Sequence, residues 1–413
     1  MSTATGNGMG RPSDARAQAR RNSLLLAASQ AIVGSVGPIS ISMGGLAGSY
    51  LLGADKSMAT APVTGFTAGV AIGAVIAAAV TRRLGRRAGF MVGTLFPIAG
   101  GALATAALFA GSFWLLVAAL LLAGFGNSFV QQYRFAAADA APPAFKPQAI
   151  SLVLIGGVFA AIIGPQTVIH TRTLFAPVMF AGAFAAMIPL ALVGAFVLSF
   201  LRIPEKHELH EGESDAPPRP LAEIVTQRRF VTALVCATAS YALMTFMMTA
   251  APLAMVAHGL SANLATWGIQ WHVMAMFAPS FFTGRLIARF GKHRIVATGL
   301  AILLCCAVVA HLGFALWNFW AALVLLGLGW NFGFIGATSM VASCYHPSEK
   351  NKAQGFNDAI LFSCVALSSL ASGQVLNDFG WNTLTLIFWP VVLICLLLLA
   401  FDHLRGRGEA QAA

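Results

Sequence analysis

Apolar runs of about twenty residues recur along the whole chain, separated by short polar breaks. They fall at roughly 23–50, 61–82, 88–110, 113–134, 147–170, 175–201, 230–257, 263–289, 294–314, 317–342, 352–376 and 382–402. A helical run of about twenty apolar residues is long enough to cross the hydrocarbon core of a bilayer. The runs are continuous rather than alternating, which argues against the short two-faced segments of a membrane β-barrel. A helix satisfies its own backbone polar groups in lipid. The pattern therefore predicts an all-α membrane protein of twelve transmembrane helices. One break differs from the rest, "RIPEKHELHEGESDAPPRPLAEIVTQRR" at 202–229. It is long, charged and proline-containing, and reads as a linker. It divides the chain into six-helix bundles at 23–201 and 230–402. Residues 1–22 are polar and expected to be a disordered N-terminus, and 403–413 a short tail.

Composition agrees with lipid as the main solvent. Of 413 residues, 58% are hydrophobic and only 9% charged, against about 25% charged in soluble domains. Arg and Lys cluster on alternate breaks: Arg16, Arg20 and Arg21, then Arg82, Arg83, Arg86 and Arg87, Lys146, Arg289, Lys292 and Arg294, Lys350 and Lys352, and Arg405 and Arg407. The other set of breaks holds little beyond Lys56 and Arg172. Positive charge favours the cytoplasmic side, so both termini and the linker are expected in the cytoplasm. These flanks account for the net charge of +11 with no nucleic-acid partner; the bilayer is the expected surrounding. No Walker-type phosphate loop and no nucleophile–base constellation is present, so the sequence suggests neither an ATP-driven pump nor an enzyme. Cys236, Cys305, Cys306, Cys344, Cys364 and Cys395 all lie in or beside apolar runs, a pattern unlike an extracellular disulfide framework.

The two halves repeat one another. "RRLGRRAGF" (82–90) matches "ARFGKHRIV" (288–296), "SFW" (112–114) matches "NFW" (318–320), and "KPQAI" (146–150) matches "KAQGF" (352–356). In each pair the offset is 206 residues. Two such repeats about an axis along the membrane normal, with a site between them, provide what alternating access needs.

On these motifs the chain resembles the major facilitator superfamily over essentially all of 23–402. The basic loop after the second run is that family's hallmark in degenerate form: Arg82 stands where the family usually has aspartate, and Ala78 where it has the first glycine. "GRLIARFGKHR" keeps Gly284 but has Ala288 in the acidic place, and "GGVFAAIIGPQ" (156–166) is similar to the family's glycine–proline motif. In the family the acidic group latches the cytoplasmic ends of the halves together. A charge-swapped latch here would pair Arg82 or Arg83 with Asp358, and by pseudo-symmetry Asp139 with Arg285 or Arg289. The plainer reading is that these charges snorkel to water.

"YALMTFMMTA" (241–250) and "WHVMAMF" (271–277) carry the candidate chemistry. Residues four apart share a helix face, so Met244 and Met248 project together, as do His272 and Met276. Three thioethers and an imidazole would suit a soft cation such as Cu(I); methionine is equally an ordinary gap-filler in apolar cores. The four positions resemble the signature of the CcoA-like copper importers within the superfamily. That resemblance implies a secondary transporter of the bacterial inner membrane importing Cu(I) for cbb3-type cytochrome oxidase assembly. It implies copper as transported substrate rather than resident cofactor, and cytoplasmic copper-handling or thiol-redox proteins as partners. Cys236, two turns before Met244, would serve as a copper relay or as a small buried hydrophobe. The chain is expected to be monomeric. Two alternatives stand beside copper import. One is import of an organic solute such as riboflavin, with Trp267, Trp271, Phe246 and Tyr241 stacking a flat ring. The other is a non-transporting membrane metal sensor or assembly factor.

Overall fold

The computed structural model describes residues 12–203 and 219–412, and these are almost wholly helical. The first half comprises α1 (Pro12–Val33), α2 (Val36–Leu51), α3 (Ala61–Phe109), α4 (Phe113–Gln131), α5 (Tyr133–Asp139), α6 (Lys146–Thr171), α7 (Ala181–Ala185) and α8 (Met187–Ser199). After a short α9 (Leu221–Val225), the second half comprises α10 (Arg228–Ala257), α11 (Ala262–Phe277), α12 (Ser280–Phe290), α13 (Lys292–His311), α14 (Leu316–Val341), α15 (Lys350–Leu386) and α16 (Phe388–Ala412). Nine helical stretches among the described residues are long and apolar enough to cross a membrane. Two of them, Ala61–Phe109 with 49 residues and Lys352–Arg405 with 54, have length for two crossings each at about twenty residues per crossing. The successive α11 and α12 supply a further apolar stretch, so the helices accommodate the twelve crossings read from the hydrophobic runs.

The expected disorder of 1–22 is corrected for part of its length. Helix α1 begins at Pro12 and runs unbroken into the first apolar run; residues 1–11 lie outside the described residues. Asn22 is buried, and its amide holds the backbone of Arg202 from both sides. Asn22 Nδ2 donates to the Arg202 carbonyl at 2.8 Å, and the Arg202 amide donates to Asn22 Oδ1 at 3.2 Å. A polar sequence thus became helix because its polar groups found partners at the end of α8. Most of the expected linker, 204–218, also lies outside the described residues. Its far end is anchored: the Arg219 guanidinium donates to both oxygens of Glu349, at 2.9 and 2.7 Å, and to the Cys344 carbonyl at 3.2 Å.

The sequence repeat reappears in the backbone. Inside α3 the helix breaks at Gly85 with φ 75° and ψ 162°, and between α12 and α13 it breaks at Gly291 with φ 86° and ψ 155°. Positive φ with extended ψ is a conformation that glycine alone adopts easily. The two glycines are 206 residues apart and make the same turn at the basic end of each half.

Each half has its own core. Ile39, Met43, Leu116, Leu120 and Phe184 centre one cluster in the first half, and Met247, Leu303, Leu326 and Phe388 the cluster of the second. Within a half, some helices meet backbone to backbone. A Cβ on Gly69 would lie 2.1 Å from the Leu121 carbonyl oxygen, and one on Gly299 would lie 2.2 Å from the Gly333 amide nitrogen. Small residues permit this approach where apolar surface gains nothing by leaving lipid. Between the halves the neighbours are side chains. A Cβ on Gly45 would lie 3.5 Å from the Leu253 side chain, and one on Gly157 would lie 3.3 Å from the Phe277 ring. The seam is formed by α6 against α11, α3 against α15, and α2 against α10 and α11.

Candidate functional site

A cavity lies on this seam, lined by both halves and enclosing about 850 Å³, part of it open to solvent. The first half contributes Gln30, Phe66, Asn127 and Gln131; the second contributes Tyr241, Met244, Thr245, Met248, Met276, Phe277 and Phe362. Phe66 comes from α3, the amides of Asn127 and Gln131 from one face of α4 at a four-residue spacing, and Tyr241, Met244, Thr245 and Met248 from one face of α10. The chain folds locally to present them because i, i+3 and i+4 positions share a helix face.

Aromatic walls and unspent amides define the cavity's chemistry. Tyr241 is fixed edge-on against Trp330, Phe334 and Phe362, with ring centroids 5.5, 5.1 and 6.0 Å away. The side chains of Gln30, Asn127, Gln131 and Thr245 make no hydrogen bond to any described residue, so their donors and acceptors are free for a guest. No Asp, Glu, Lys, Arg or His is among the lining residues. Arg134 and Asp358 stand further towards the basic end, close enough for Arg134 to act electrostatically on both Tyr241 and Asp358. Gln131, exposed at the basic end of α4, lines the cavity too, so the cavity communicates with that end.

The opposite end is closed by neutral cross-half contacts. Gln166 Nε2 donates to Gln270 Oε1 at 2.9 Å, Thr64 Oγ1 to Ser369 Oγ at 3.3 Å, and Thr60 Oγ1 to the Leu370 carbonyl at 3.4 Å.

The residues singled out from the sequence are only partly brought together. Met244, Met248 and Met276 do face one cavity. His272 does not join them: it is buried, and its Nδ1 lies 2.8 Å from the Leu323 carbonyl of α14. An imidazole beside a carbonyl acceptor carries its proton on that nitrogen, which leaves Nε2 as an acceptor; Nε2 has no partner among the described residues. Cys236 is buried off the cavity, with its thiol directed at the Cys395 carbonyl at 3.8 Å. Of the four aromatics expected to stack a flat ring, Tyr241 alone lines the cavity. Trp267 and Trp271 stack on each other at 6.2 Å, and Phe246 is buried in the core of the second half.

The cross-half latches are not formed in this arrangement. Asp139 is paired with Arg86 of its own half rather than with Arg285 or Arg289, because the turn at Gly85 sets Arg86 beside the end of α5. Asp358 accepts from Asn357 at 2.9 Å, and Arg82 and Arg83 are exposed without an ion pair among the described residues. The cross-half hydrogen bonds given above lie at the other end. Phe66, Phe277, Phe362, Gln30, Asn127 and Gln131 went unread as site residues. The three amides carried a legible signal, being polar side chains within apolar runs.

Comparison with known proteins bears on the cargo. The family model described as Major Facilitator Superfamily matches residues 23–333 and 233–412. The riboflavin transporter RfnT of Brucella anthropi is 48% identical over 395 residues, covering 96% of this chain and 98% of the relative. An uncharacterised MFS-type transporter of Bacillus subtilis, YddS, is 28% identical over 86% of both chains. Solved structures of the nucleoside transporter NupG, in a mutant form, and of a D-xylose–proton symporter superpose with TM-scores of 0.67 and 0.68. Each covers 94% of this chain, at 14% and 11% identity, and 99% and 96% of its own. The expectation of copper import is overturned here. A relative at nearly half identity over almost the full length of both chains is a riboflavin transporter, and His272 does not line the cavity that the thioethers face. The methionines are apolar cavity wall, a role open to any methionine in a core.

Proposed function

The chain belongs to the major facilitator superfamily and is a multi-pass membrane transporter, and on that premise we propose that it imports an uncharged flavin, riboflavin or a close analogue, across the bacterial inner membrane. The observation that carries this reading is the 48% identity with a riboflavin transporter over 96% of the chain. The cavity supports it in chemical terms. A flavin is a flat heteroaromatic ring with one edge of carbonyls and ring nitrogens and a polyhydroxyl tail. Phe66, Tyr241, Phe277 and Phe362 offer apolar and π faces from both halves. Burying a ring against such faces is favourable beyond its area when the geometry is edge-on or offset. Gln30, Asn127, Gln131, Thr245 and the Tyr241 hydroxyl would replace the water lost by the heteroatom edge and the tail, since an unpaired polar group in a dry site is costly.

Transport follows from the seam. With the neutral contacts around Gln166, Thr64 and Thr60 closed, the cavity faces the basic end, which the distribution of arginine and lysine assigns to the cytoplasm. This is the releasing state of an importer. Loading requires those contacts to part and the basic ends to approach, with the halves rocking about the fixed site.

The test is growth of a riboflavin-auxotrophic bacterium lacking its own importer. Expression of this chain should restore growth at micromolar riboflavin and accumulate labelled riboflavin. Absence of both, with the protein present in the membrane, would overturn the reading.

A further inference from the structure

A second recess opens at the basic end of the first half, away from the transport cavity. It is formed by the Gly85 turn of α3 and the chain leaving α8, and encloses about 920 Å³ including its open mouth. It is lined by Arg86, Arg87 and Arg202 together with the apolar Leu84, Met91 and Ile203. Arg21 is close by, donating to the Phe200 carbonyl at 3.3 Å. Three arginines thus line the recess with a fourth close by, and among the described residues Asp139 is the one carboxylate in an ion pair with any of them. Arg87 and Arg202 are exposed and make no ion pair among the described residues.

The fold invests in holding this arrangement. Asn22 and Gln18 fix the Arg202 backbone, with the carbonyl accepting at 2.8 and 3.0 Å and the amide donating at 3.2 Å. The Gly85 turn, at a φ of 75°, sets Arg86 and Arg87 against it. Like charges pinned together repel one another, and an anion seated among them relieves that cost. Guanidinium groups match the oxygens of a phosphate in geometry as well as charge. The apolar lining selects among phosphates. Leu84 is 52% exposed at the rim of a membrane-spanning helix, where a free aqueous anion would leave it uncovered and an acyl chain would cover it.

We propose that this recess is a binding site for the phosphate head group of an anionic phospholipid of the inner leaflet. Basic pockets between helices at the cytoplasmic surface take such head groups through the same combination of charge and apolar contact.

The experiment uses the purified full chain and measures phosphatidylglycerol binding against phosphatidylcholine by native mass spectrometry and by lipid-dependent thermal stabilisation. Phosphatidylglycerol is expected to be retained preferentially. The double variant Arg87→Gln/Arg202→Gln should weaken it by roughly tenfold or more, and Arg87→Lys/Arg202→Lys, which keeps the charge and loses the guanidinium fork, should weaken it by less than the glutamine variant does. Arg82→Gln/Arg83→Gln removes the same charge from neighbouring positions outside the recess and should change little. If the double glutamine variant does not fold, Arg202→Gln alone is compared with Arg82→Gln. An equal loss in the Arg82/Arg83 variant would reduce the effect to general surface charge and overturn the site. Competition by millimolar inorganic phosphate as effective as the lipid would make it a free-anion site and overturn the lipid assignment. A tenfold gain in lipid binding on changing Glu205, Glu208, Glu211 and Glu213 to Gln would identify the acidic linker as the occupant and overturn it as well.

Discussion

Gln166 of α6 donates its side-chain amide to Gln270 of α11 at 2.9 Å, joining one half of the transporter to the other at the end away from the arginines. The Thr64–Ser369 bond does the same between α3 and α15. Gln270 lies 206 residues after Thr64, the offset of the internal repeat, so the two bonds occupy related places in the two halves. A neutral hydrogen bond contributes about 1 kcal/mol net, enough to hold a closed state and weak enough to break in every cycle. Gln270→Ala should shift the population away from this closure by about fivefold. Hydrogen exchange at the outer ends of α6 and α11 should speed up accordingly. Unchanged exchange there would show that the bond contributes nothing to the closure.

Tyr241 divides its work between ring and hydroxyl. Tyr241→Phe preserves the edge-on contacts with Trp330, Phe334 and Phe362 and should raise the riboflavin KM by about fivefold or less, the worth of one neutral hydrogen bond. Tyr241→Ala removes the wall itself and should raise it by about tenfold or more, since ring burial is lost together with the contact geometry. Equal effects in the two variants would mean that the ring does not contact the cargo.

The thioethers give a direct check on the cargo. Met244→Leu, Met248→Leu and Met276→Leu each keep volume and apolar character and should cost under about 1.5 kcal/mol in stability. Riboflavin uptake should stay within about twofold of the parent chain, and copper salts should not affect it. A loss of more than tenfold in all three, at equal protein level, would return the sulfur atoms to consideration.

The lining residues carry no formal charge, which sets a limit on what can enter. A phosphate ester would have to surrender its hydration without a cation in return, and an unpaired ion in a dry site is penalised by several kcal/mol. Riboflavin 5′-phosphate should therefore compete with riboflavin at least about a hundredfold less well. Competition within threefold would show that Arg134, near the opening, reaches the bound solute.

The end of the linker is a separate matter of charge. The Arg219 guanidinium holds the Glu349 carboxyl well below the usual carboxylate range, helped by the backbone amides of His346 and Arg219. A carboxylate with a depressed folded pKa stabilises fully above its unfolded pKa, near 4.3, and loses that contribution as pH falls through the folded value. Docking of Arg219 on Glu349 should accordingly persist when pH is lowered from 7 to 4. Arg219→Ala lacks the pair, so its deficit in melting temperature should hold steady from pH 7 to about 5 and narrow as pH falls further, below about 4.3. Melting temperature against pH for the two chains reads the difference, and parallel curves would disprove the assignment.

Much of this fold was legible because lipid leaves few options. Runs of about twenty apolar residues had to be helices, and the 206-residue offset pointed to two halves before the turns at Gly85 and Gly291 showed the same backbone. The site was legible only in part. Four-residue spacing correctly set Met244 beside Met248, but spacing on one helix says nothing about the neighbouring helix. His272 shares a sequence face with Met276, yet Leu323 of α14 offers it a carbonyl. Asn127 and Gln131 were visible as amides among apolar residues. Their convergence with Gln30 and Tyr241 depends on how α1, α4 and α10 pack, which no local pattern encodes. Asp139 pairs with Arg86 of its own half, a contact made by the turn at Gly85 that the repeat offset does not indicate.

The glycine contacts described above differ in kind according to where they fall. At Gly69 and Gly299 main chain presses on main chain, and nothing there can yield without unwinding a helix. At Gly45 and Gly157 the opposing surface is a leucine or phenylalanine side chain, which can turn about its own bonds. At these four positions the contacts inside a half are stiff and those across the seam can give. An added methyl group should have opposite consequences in the two places. Gly299→Ala would weaken the assembly of one half, whereas Gly157→Ala would leave both halves intact and tax only their movement. The first is a lesion of folding and the second a lesion of turnover, separable by comparing the amount of protein in the membrane with its rate per molecule.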